Sequence, residues 1–159
     1  MNKIINTKDI VNLTKKLRLK KLSIVLVGGC FDILHIGHIK FLKKAKKMGD
    51  RLLVLLESDE KVRKLKGKNR PFFSQKERAE MLSSLQFIDF VLLLPTMKDD
   101  QAYEDLIRKI KPAIIAVTSG DLFLEKKKAQ ARIVKGKLEI ITYLRTPSTS
   151  KLANLLGID

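Results

Sequence analysis

The sequence contains one cysteine and no tryptophan in 159 residues. A lone thiol cannot form an internal disulfide, and a low cysteine content is typical of reducing compartments, so we expect a cytoplasmic protein. Apolar runs are also short, and none approaches the roughly 20 residues that a membrane-spanning helix requires. The basic N-terminus alternates polar and apolar residues and lacks the apolar core of a signal peptide. These absences predict a chain that makes no contact with a membrane.

Histidine and acidic residues are scarce as well. Two histidines and one cysteine are too few ligands for a structural zinc site, so we expect no metal ion held by side chains alone. Lys and Arg number 33 against 17 Asp and Glu, which gives a net charge of +16. A field of this sign attracts phosphorylated ligands and nucleic acid, although lysine-rich surfaces also occur without a binding role. Charge alone therefore leaves the partner open.

Residues 23–42 predict a strand, a tight turn and a helix in succession. The apolar run of residues 24–27 suits a strand that is buried on both faces of a parallel sheet. Gly28 and Gly29 follow, and they allow a ligand to approach the backbone closely. From Gly37 onward the apolar residues recur at helical spacing. The start of such a helix carries unpaired N–H groups and the positive end of the helix dipole, so it favours the binding of an anion.

Both histidines of the chain lie at this predicted helix start. His35 and His38 are three residues apart, and they share one face if the helix includes both. Imidazole groups placed there can donate directed hydrogen bonds to a phosphate. A lone histidine is more often a surface or core residue without such a role, but the location of both within one motif favours a function.

Residues 29–38, with the sequence GCFDILHIGH, resemble the G-x-F-D-x-x-H-x-G-H signature of the cytidylyltransferase-like nucleotidyltransferases. The resemblance implies that His35 and His38 are catalytic. It also implies nucleotide binding by other residues of this segment, namely Gly28, Gly29, Cys30, Phe31, Asp32 and Gly37. For Asp32 two alternatives stay open, an Asx turn or a contribution to the metal or ribose environment. The letters HIGH also match class I aminoacyl-tRNA synthetases, but 159 residues leave no room for a synthetase catalytic domain with tRNA-binding parts.

A basic segment follows the second predicted strand. Residues 63–71 contain five cations in nine positions, and they are either a solvated loop or a mobile arm that closes over phosphates. Their Leu-Lys-Gly-x-x-Arg-Pro pattern is similar to that of bacterial heptose-1-phosphate adenylyltransferases. In the related glycerol-3-phosphate cytidylyltransferases, lysines of this loop contact phosphates. The resemblance therefore implies a catalytic role for Lys66, with Lys64 as a second candidate.

Arg78 lies in the first turn of a helix that begins with a predicted capping box, formed by Ser74 and Glu77. A cation there faces the positive end of the helix dipole, which is unfavourable and invites a functional explanation. The family carries an arginine at the matching place of an E-x-R segment, so the resemblance implies that Arg78 is catalytic and reaches the phosphates. A surface arginine paired with Glu77 is the alternative.

Two further segments match the family closer to the C-terminus. Gly120 and Asp121 correspond to a Gly-Asp element that helps to hold the base and ribose, although Asp121 is also suited to be a simple helix cap. Leu122 stands where the family has an aromatic residue and Ser119 where it has a glycine, so the identity of the base stays open. The resemblance also implies nucleotide binding by residues that match the family's Arg-Thr and Ser-Thr-Thr elements, namely Arg145, Ser148, Thr149 and Ser150.

Predicted strands and helices alternate along the whole chain, which indicates βαβ units with right-handed crossovers. We expect an α/β fold of one domain over residues 1–159, with a basic N-terminal helix within 1–20 and a catalytic core over 21–159. The core is expected to be a Rossmann-like, doubly wound parallel sheet of the nucleotidylyltransferase superfamily. Its five predicted strands are residues 23–27, 52–56, 90–94, 113–117 and 138–143.

The resemblance implies a nucleotidyltransferase that moves a nucleoside monophosphate from an NTP to a phosphorylated small molecule and releases pyrophosphate. ATP and heptose 1-phosphate are the favoured substrates, and Mg²⁺ bound through the NTP phosphates is the expected cofactor. The first alternative is CTP with glycerol 3-phosphate, and others are adenylylation of FMN or of phosphopantetheine. Homodimers are common in the family, so a second copy is a further expected partner. The rival from a different class is a non-catalytic domain that binds nucleotide or, less expectedly, nucleic acid.

Overall fold

The computed structural model describes residues 2–142 and 149–157. Within these ranges no helix is both long and apolar enough to cross a bilayer. The helices and strands along the described chain are β1 Ile4–Asn6, α1 Ile10–Leu19, β2 Ile24–Gly29, α2 Ile36–Lys46, β3 Arg51–Leu56, α3 Asp59–Lys66, α4 Gln75–Ser83, β4 Phe90–Leu93, α5 Asp100–Ile110, β5 Ile114–Thr118, α6 Leu124–Ile133, β6 Lys137–Ile141 and α7 Thr149–Leu156.

The strands form one parallel sheet in the order β1-β4-β3-β2-β5-β6. The chain extends the sheet from β2 through β3 to β4 on one side, and then crosses to build β5 and β6 on the other side of β2. The boundary between β2 and β5 is therefore the topological switch point. Ligands of such sheets bind beyond the carboxyl ends of the strands at this point. The predicted doubly wound α/β fold is confirmed.

Helices cover both faces of this sheet. On one face α1, α5 and α6 pack against the strands through side chains that include Ile10 and Leu106. On the other face α2 and α4 do so, through side chains that include Leu42 and Leu82. Because both faces are covered, the strands need apolar side chains at successive positions, and the whole of residues 52–56 in β3 is buried. The continuous apolar runs in the sequence have this origin.

The sheet has six strands in the described residues, so the predicted number of five was wrong. The additional strand is β1, which pairs with β4 at the edge of the sheet and places Ile4 beside Val91. It lies within residues 1–20, where only a helix was predicted, and that helix is α1, which begins at Ile10. Three half-exposed or exposed residues are too few to show a strand periodicity, so the sequence pattern did not reveal β1.

Two serine caps determine where α3 and α4 begin, close to the carboxyl end of β3. Ser58 Oγ accepts a hydrogen bond from the N–H of Lys61 at 3.2 Å and caps α3. Ser74 and Glu77 form the predicted capping box of α4. Glu77 Oε2 accepts from the N–H of Ser74 at 2.8 Å, and Ser74 Oγ accepts from the N–H of Glu77 at 3.4 Å. These bonds satisfy donors that the helix itself leaves unpaired.

The turn after β2 depends sterically on Gly29. Phe31 adopts a left-handed backbone conformation with φ of 45° and buries its ring in the core on the α2 side of the sheet. A Cβ atom on Gly29 would lie 2.9 Å from Cε2 of that ring. At Gly28 the nearest atom to an added Cβ is Leu55 Cβ, at an ordinary contact distance of 3.8 Å. The close approach of ring and backbone therefore requires glycine at position 29 and leaves room for a methyl group at position 28.

We expect Gly29→Ala to destabilise the protein by about 1–3 kcal/mol, because the added methyl group must displace a ring that is packed in the core. The Phe31 side chain is only 5% exposed, so it has no free space into which to turn. Gly28→Ala is the matched control and should change the free energy of unfolding by less than about 1 kcal/mol. Urea unfolding of both variants measures the difference. Equal losses in the two variants would contradict this steric account.

Candidate active site

Helix α2 begins just beyond the carboxyl end of β2, and its N-cap is His35. The backbone of His35 is extended, with φ of −136° and ψ of 170°, so this residue lies outside the helix itself. Its Nδ1 accepts a hydrogen bond from the N–H of Gly37 at 3.1 Å. Because Nδ1 is the acceptor, a neutral His35 ring carries its proton on Nε2, where it is available to a ligand. Gly37, which is predicted to bind nucleotide, thus orients this imidazole through its N–H.

His38 lies within the first turn of α2 and stacks on His35. The two ring centroids are 3.8 Å apart and the ring planes are inclined by 28°. The Phe31 ring contacts His38 in an edge arrangement, with centroids 5.2 Å apart. His38 Nδ1 is buried, and a hydrogen bond with the backbone of Ile33 opposes the lowering of the His38 pKa. The helix start and the buried Phe31 ring therefore position the two imidazoles as a pair.

Both imidazoles are favoured in their neutral form. Burial is the main cause that lowers the pKa of His38 to about 4, and the charges of His35 and Lys66 lower it further. Burial also lowers the pKa of His35, again with a contribution from Lys66. A neutral imidazole retains one N–H donor. An anion bound beside the pair would favour the protonated forms and raise both pKa values.

Lys66, the last residue of α3, brings a positive charge close to the histidines. Its charge lowers the pKa of both imidazoles and opposes the rise that burial causes in the pKa of the Cys30 thiol. Lys64 instead forms an ion pair with Glu60 at 2.7 Å on the exposed surface of α3. Of the two lysines that the sequence singled out in the basic segment, Lys66 is thus the one that acts on the site.

Arg78 is fully buried, and its guanidinium donates to four protein oxygens. Nε donates to the carbonyl of Phe73 at 3.0 Å, and a second nitrogen donates to the carbonyl of Cys30. The third donates to the carbonyl of Glu57 at 2.9 Å and to Asp59 Oδ1 at 2.7 Å. The sequence predicted a contact with phosphates, whereas the structure uses these donors to connect the ends of β2 and β3. Arg78 therefore positions the turn that precedes the histidines.

Asp32 has a comparable supporting role. It forms an ion pair with Arg70 at 2.6 Å, and the two side chains are 0% and 1% exposed. Asp32 Oδ1 also accepts from the backbone N–H of Phe72 at 2.8 Å. The sequence suggested an Asx turn or a place near the metal or ribose, but the partners of Asp32 lie about 40 positions later in the chain. This carboxylate anchors the end of the basic segment beside the glycine turn.

A cavity of about 310 Å³ opens on the other side of this turn, next to α5 and α6. The backbone of residues 28–30 forms part of its wall. Its apolar lining includes Leu26, Leu55, Ile107 and Ile115. Polar side chains also reach it, among them Glu57, Lys61, Tyr103, Asp121 and Lys127. A cavity of this size, largely apolar and with a few polar groups, is typical of a site for a small molecule.

Glu57 and Tyr103 form a hydrogen-bonded pair in this cavity. The Tyr103 hydroxyl donates to Glu57 Oε2 at 3.0 Å and to Oε1 at 3.2 Å. Burial raises the pKa of Glu57, and the hydrogen bond from Tyr103 opposes that rise. Burial and the nearby Glu57 charge raise the pKa of Tyr103, so its hydroxyl stays protonated. The pair therefore presents carboxylate oxygens and a phenolic oxygen to a ligand.

Asp121 lies at the cavity as well, but its carboxylate is already engaged. It accepts from the N–H of Phe123 at 2.8 Å and from the Lys127 ammonium at 2.5 Å. Gly120 is exposed, and a Cβ atom there would meet nothing within 4 Å. The aromatic ring that is absent at Leu122 occurs one position later, where Phe123 lines the cavity. The Gly-Asp element thus contributes Asp121 to the cavity wall.

The predicted residues near the C-terminus are only partly described. Arg145 and Ser148 lie outside the described residues. Thr149 and Ser150 belong to the first turn of α7, and the described part of the chain does not include their side chains. Nucleotide binding by these four residues stays a prediction.

Many of the predicted site residues meet at the carboxyl end of β2. They are Gly28, Gly29, Cys30, His35, His38 and Lys66. Phe31, Asp32 and Arg78 support them from the core. Glu57 and Tyr103 were not among the predicted site residues. One signal was available for Glu57, because it directly follows a buried strand at the end where ligands of such sheets bind.

The cytidylyltransferase-like family model matches residues 26–156 of this chain. Among curated proteins, the chain is similar to the bifunctional protein HldE of Campylobacter fetus subsp. fetus, with 38% identity over 149 residues that make up 92% of this chain and 31% of that protein. It is also similar to the bifunctional protein HldE of Geobacter metallireducens, with 36% identity over 152 residues, which are 94% of this chain and 30% of that protein. The chain thus spans about 30% of the length of these relatives.

Two solved structures resemble the fold. The lipopolysaccharide core biosynthesis protein from Thermoplasma volcanium matches with a TM-score of 0.64 and 26% identity, over 79% of this chain and 98% of that chain. Pantoate-beta-alanine ligase from Francisella tularensis, solved with an ATP analogue and beta-alanine, matches with a TM-score of 0.68 and 18% identity, over 95% of this chain and 72% of that chain. At that identity the second likeness shows the fold alone.

We expect His38 to titrate near pH 4 in the free protein and to weaken the folded state in acid. The unfolded chain binds this proton with a pKa of about 6.5. The contribution of neutral His38 to the stability of the folded state is therefore fully present above pH 6.5 and declines as the pH falls towards 4. The loss from His38 reaches about 3 kcal/mol at most. NMR titration of the ring protons gives the midpoint for His38. Urea unfolding between pH 4 and 7 gives the slope of the unfolding free energy against pH, which His38→Asn should reduce. A midpoint at or above 6.5 would contradict this expectation.

We expect Arg78→Met to destabilise the protein by about 3–5 kcal/mol, because it leaves three carbonyl groups and a carboxylate without the buried donor that they share. Arg108→Met on the exposed side of α5 is the matched control, and it should change stability by no more than about 0.5 kcal/mol. Urea unfolding compares the two variants. An Arg78→Met protein of unchanged stability that has lost activity would instead indicate a direct contact with phosphates.

Proposed function

Because this chain belongs to the cytidylyltransferase-like family of nucleotidyltransferases, we propose that it transfers AMP from ATP to heptose 1-phosphate and releases pyrophosphate. The family supports the class of reaction. The sugar phosphate is supported by the Leu-Lys-Gly-x-x-Arg-Pro pattern of residues 65–71, and a similar protein is named for lipopolysaccharide core biosynthesis. The relatives named bifunctional are about three times as long, so the proposed activity corresponds to one portion of such a protein.

The stacked pair of His35 and His38 carries the proposal. The bond from Gly37 to His35 Nδ1 leaves the Nε2 proton of His35 free to point towards a ligand. The rings stand at the start of α2, where the helix dipole favours an anion, and Lys66 adds a full positive charge. Two oriented imidazoles, a helix start and a lysine are a set of groups that suits a polyphosphate.

In the proposed reaction an oxygen of the acceptor phosphate forms a bond to the α-phosphorus of ATP. The bond from that phosphorus to the bridging oxygen breaks, and pyrophosphate leaves with the electron pair. Such a transfer depends mainly on positioning and on neutralising charge. His35 and His38 donate hydrogen bonds to the phosphate oxygens as negative charge moves to the leaving group, and Lys66 balances that charge.

Mg²⁺ is the proposed cofactor. The side chains of this site can accommodate the ion only when the substrate supplies most of its ligands. In the part of the chain that the structure describes, no three His, Cys, Asp or Glu side chains come together as a metal site. Oxygen atoms of the triphosphate are ligands that Mg²⁺ prefers. When bound there, the ion supplies neutralisation of charge on the phosphate groups. The protein's part is then to hold the metal–nucleotide complex through the histidines and Lys66.

Pyrophosphate release tests this function directly. The unchanged protein should release pyrophosphate with Mg²⁺, ATP and heptose 1-phosphate together, and much more slowly when any one is omitted. CTP in place of ATP, and glycerol 3-phosphate or FMN in place of the sugar phosphate, complete the panel. His38→Ala should lower kcat by about 10²–10³, because it removes a donor to the developing charge.

The matched control is Lys44→Ala, which removes an exposed cation from the same helix. It should retain the activity of the unchanged protein, and thermal unfolding should show that all variants are folded. Near-normal turnover by His38→Ala would contradict the role of the histidine pair. A panel without any acceptor-dependent release, combined with salt-dependent binding of RNA or DNA, would favour a non-catalytic binding module instead.

A further inference from the structure

The cavity and the paired histidines lie on opposite sides of residues 28–30, which are the last two residues of β2 and Cys30. Helix α2, which carries His38, packs on one face of the sheet, whereas α5 packs on the other. The backbone of the turn is a wall of the cavity, and Gly28 and Gly29 place no side chain in between. A phosphate at the histidines is therefore close to the cavity, and the rest of the same molecule can extend into it.

The cavity is poorly suited to a second phosphate. Three lysines line the cavity, and two of them already neutralise carboxylates: Lys127 pairs with Asp121 at 2.5 Å and Lys126 pairs with Asp100 at 2.7 Å. The charge of the third, Lys61, acts on Glu57 and lowers the pKa of its carboxyl group. The Glu57 carboxylate is half-buried and repels a further anion. The chemistry of the cavity therefore favours an uncharged portion of a ligand.

Glu57 and Tyr103 are well suited to hydroxyl groups. Each carboxylate oxygen of Glu57 has acceptor capacity beyond its bond from Tyr103, and the Tyr103 oxygen is itself an acceptor. Vicinal hydroxyl groups supply two adjacent donors, while the apolar lining suits the C–H face of a sugar ring. Adenine offers one amino group together with ring nitrogen acceptors, which a carboxylate repels. A polyol portion thus matches this pair better than the base does.

We propose that Glu57 and Tyr103 determine acceptor specificity by hydrogen bonding to vicinal hydroxyl groups of the sugar. The sugar lies in the cavity, and its phosphate extends past Gly28 and Gly29 to the histidines. This inference rests on the proposed function and adds the orientation of the acceptor to it. It also places the hydroxyl pattern of the acceptor under the control of these two side chains.

Steady-state kinetics of Glu57→Gln and Tyr103→Phe test the inference. Both variants should raise the KM for heptose 1-phosphate by about tenfold to a hundredfold, as expected for the loss of hydrogen bonds that involve a charged group. The KM for ATP and the kcat should stay within about threefold of the unchanged protein. Glu60→Gln, on the exposed side of α3, is the matched control and should alter neither KM. Tyr103→Phe keeps the ring that packs against the core, so it provides a second variant if Glu57→Gln is unstable.

Sugar 1-phosphates that lack one hydroxyl group sharpen the test. If a hydroxyl group contacts Glu57, its removal from the sugar should raise the acceptor KM of the unchanged protein strongly and that of Glu57→Gln only slightly. The effects of the deoxy sugar and of the substitution are then not additive. Additive effects with every deoxy sugar, or an unchanged acceptor KM in both variants, would overturn the inference while the proposed function stands. A raised KM for ATP with an unchanged acceptor KM would also overturn it and would place the base in the cavity. Absence of turnover by the unchanged protein would remove the proposed function and this inference together.

Discussion

The buried guanidinium of Arg78 is the interaction on which the geometry of the site depends. A fully buried charge is tolerated only when its donors are satisfied, and here the acceptors come from the end of β2, the end of β3, the start of α3 and the loop before α4. The ends of β2 and β3 are already neighbours in the sheet, where the N–H of Glu57 donates to the carbonyl of Gly29 at 3.2 Å. The guanidinium ties the start of α3 and the loop before α4 to this pair of strand ends.

The glycine turn divides the site into two environments of different electrostatic character. On one side, the start of α2 presents His35, His38 and the nearby charge of Lys66, which together favour an anion. On the other, the cavity presents the half-buried carboxylate of Glu57 and an apolar lining, which favour an uncharged polar group. Because the two glycines add no side chain between them, a single ligand can occupy both. The depressed pKa of His38 and the raised pKa of Glu57 have the same main cause, since burial disfavours the charged form of each group.

Two of the predicted polar site residues are buried in the structure, and their burial has a common physical explanation. Arg78 and Asp32 are polar residues in a signature motif or beside a capping box, and such residues usually contact solvent or ligand. Their burial depends on partners far along the chain, such as Cys30 for Arg78 and Arg70 for Asp32, and local spacing contains no information about such pairs. Glu57 was passed over for a related reason, because a carboxylate after a strand has functional meaning only once Tyr103 and the cavity are known.

The amino-acid sequence alone predicts the α/β fold, the strand followed by a helix that carries both histidines, and the excess of positive charge. These features depend on local periodicity and composition, which act over a few residues. Four features could not be predicted in this way: the sixth strand, the burial of Arg78 and Asp32, the stacking of His35 on His38, and the cavity that contains Glu57. Each of these depends on contacts between segments that are distant in the sequence, and such contacts arise from packing the whole sheet between its two layers of helices.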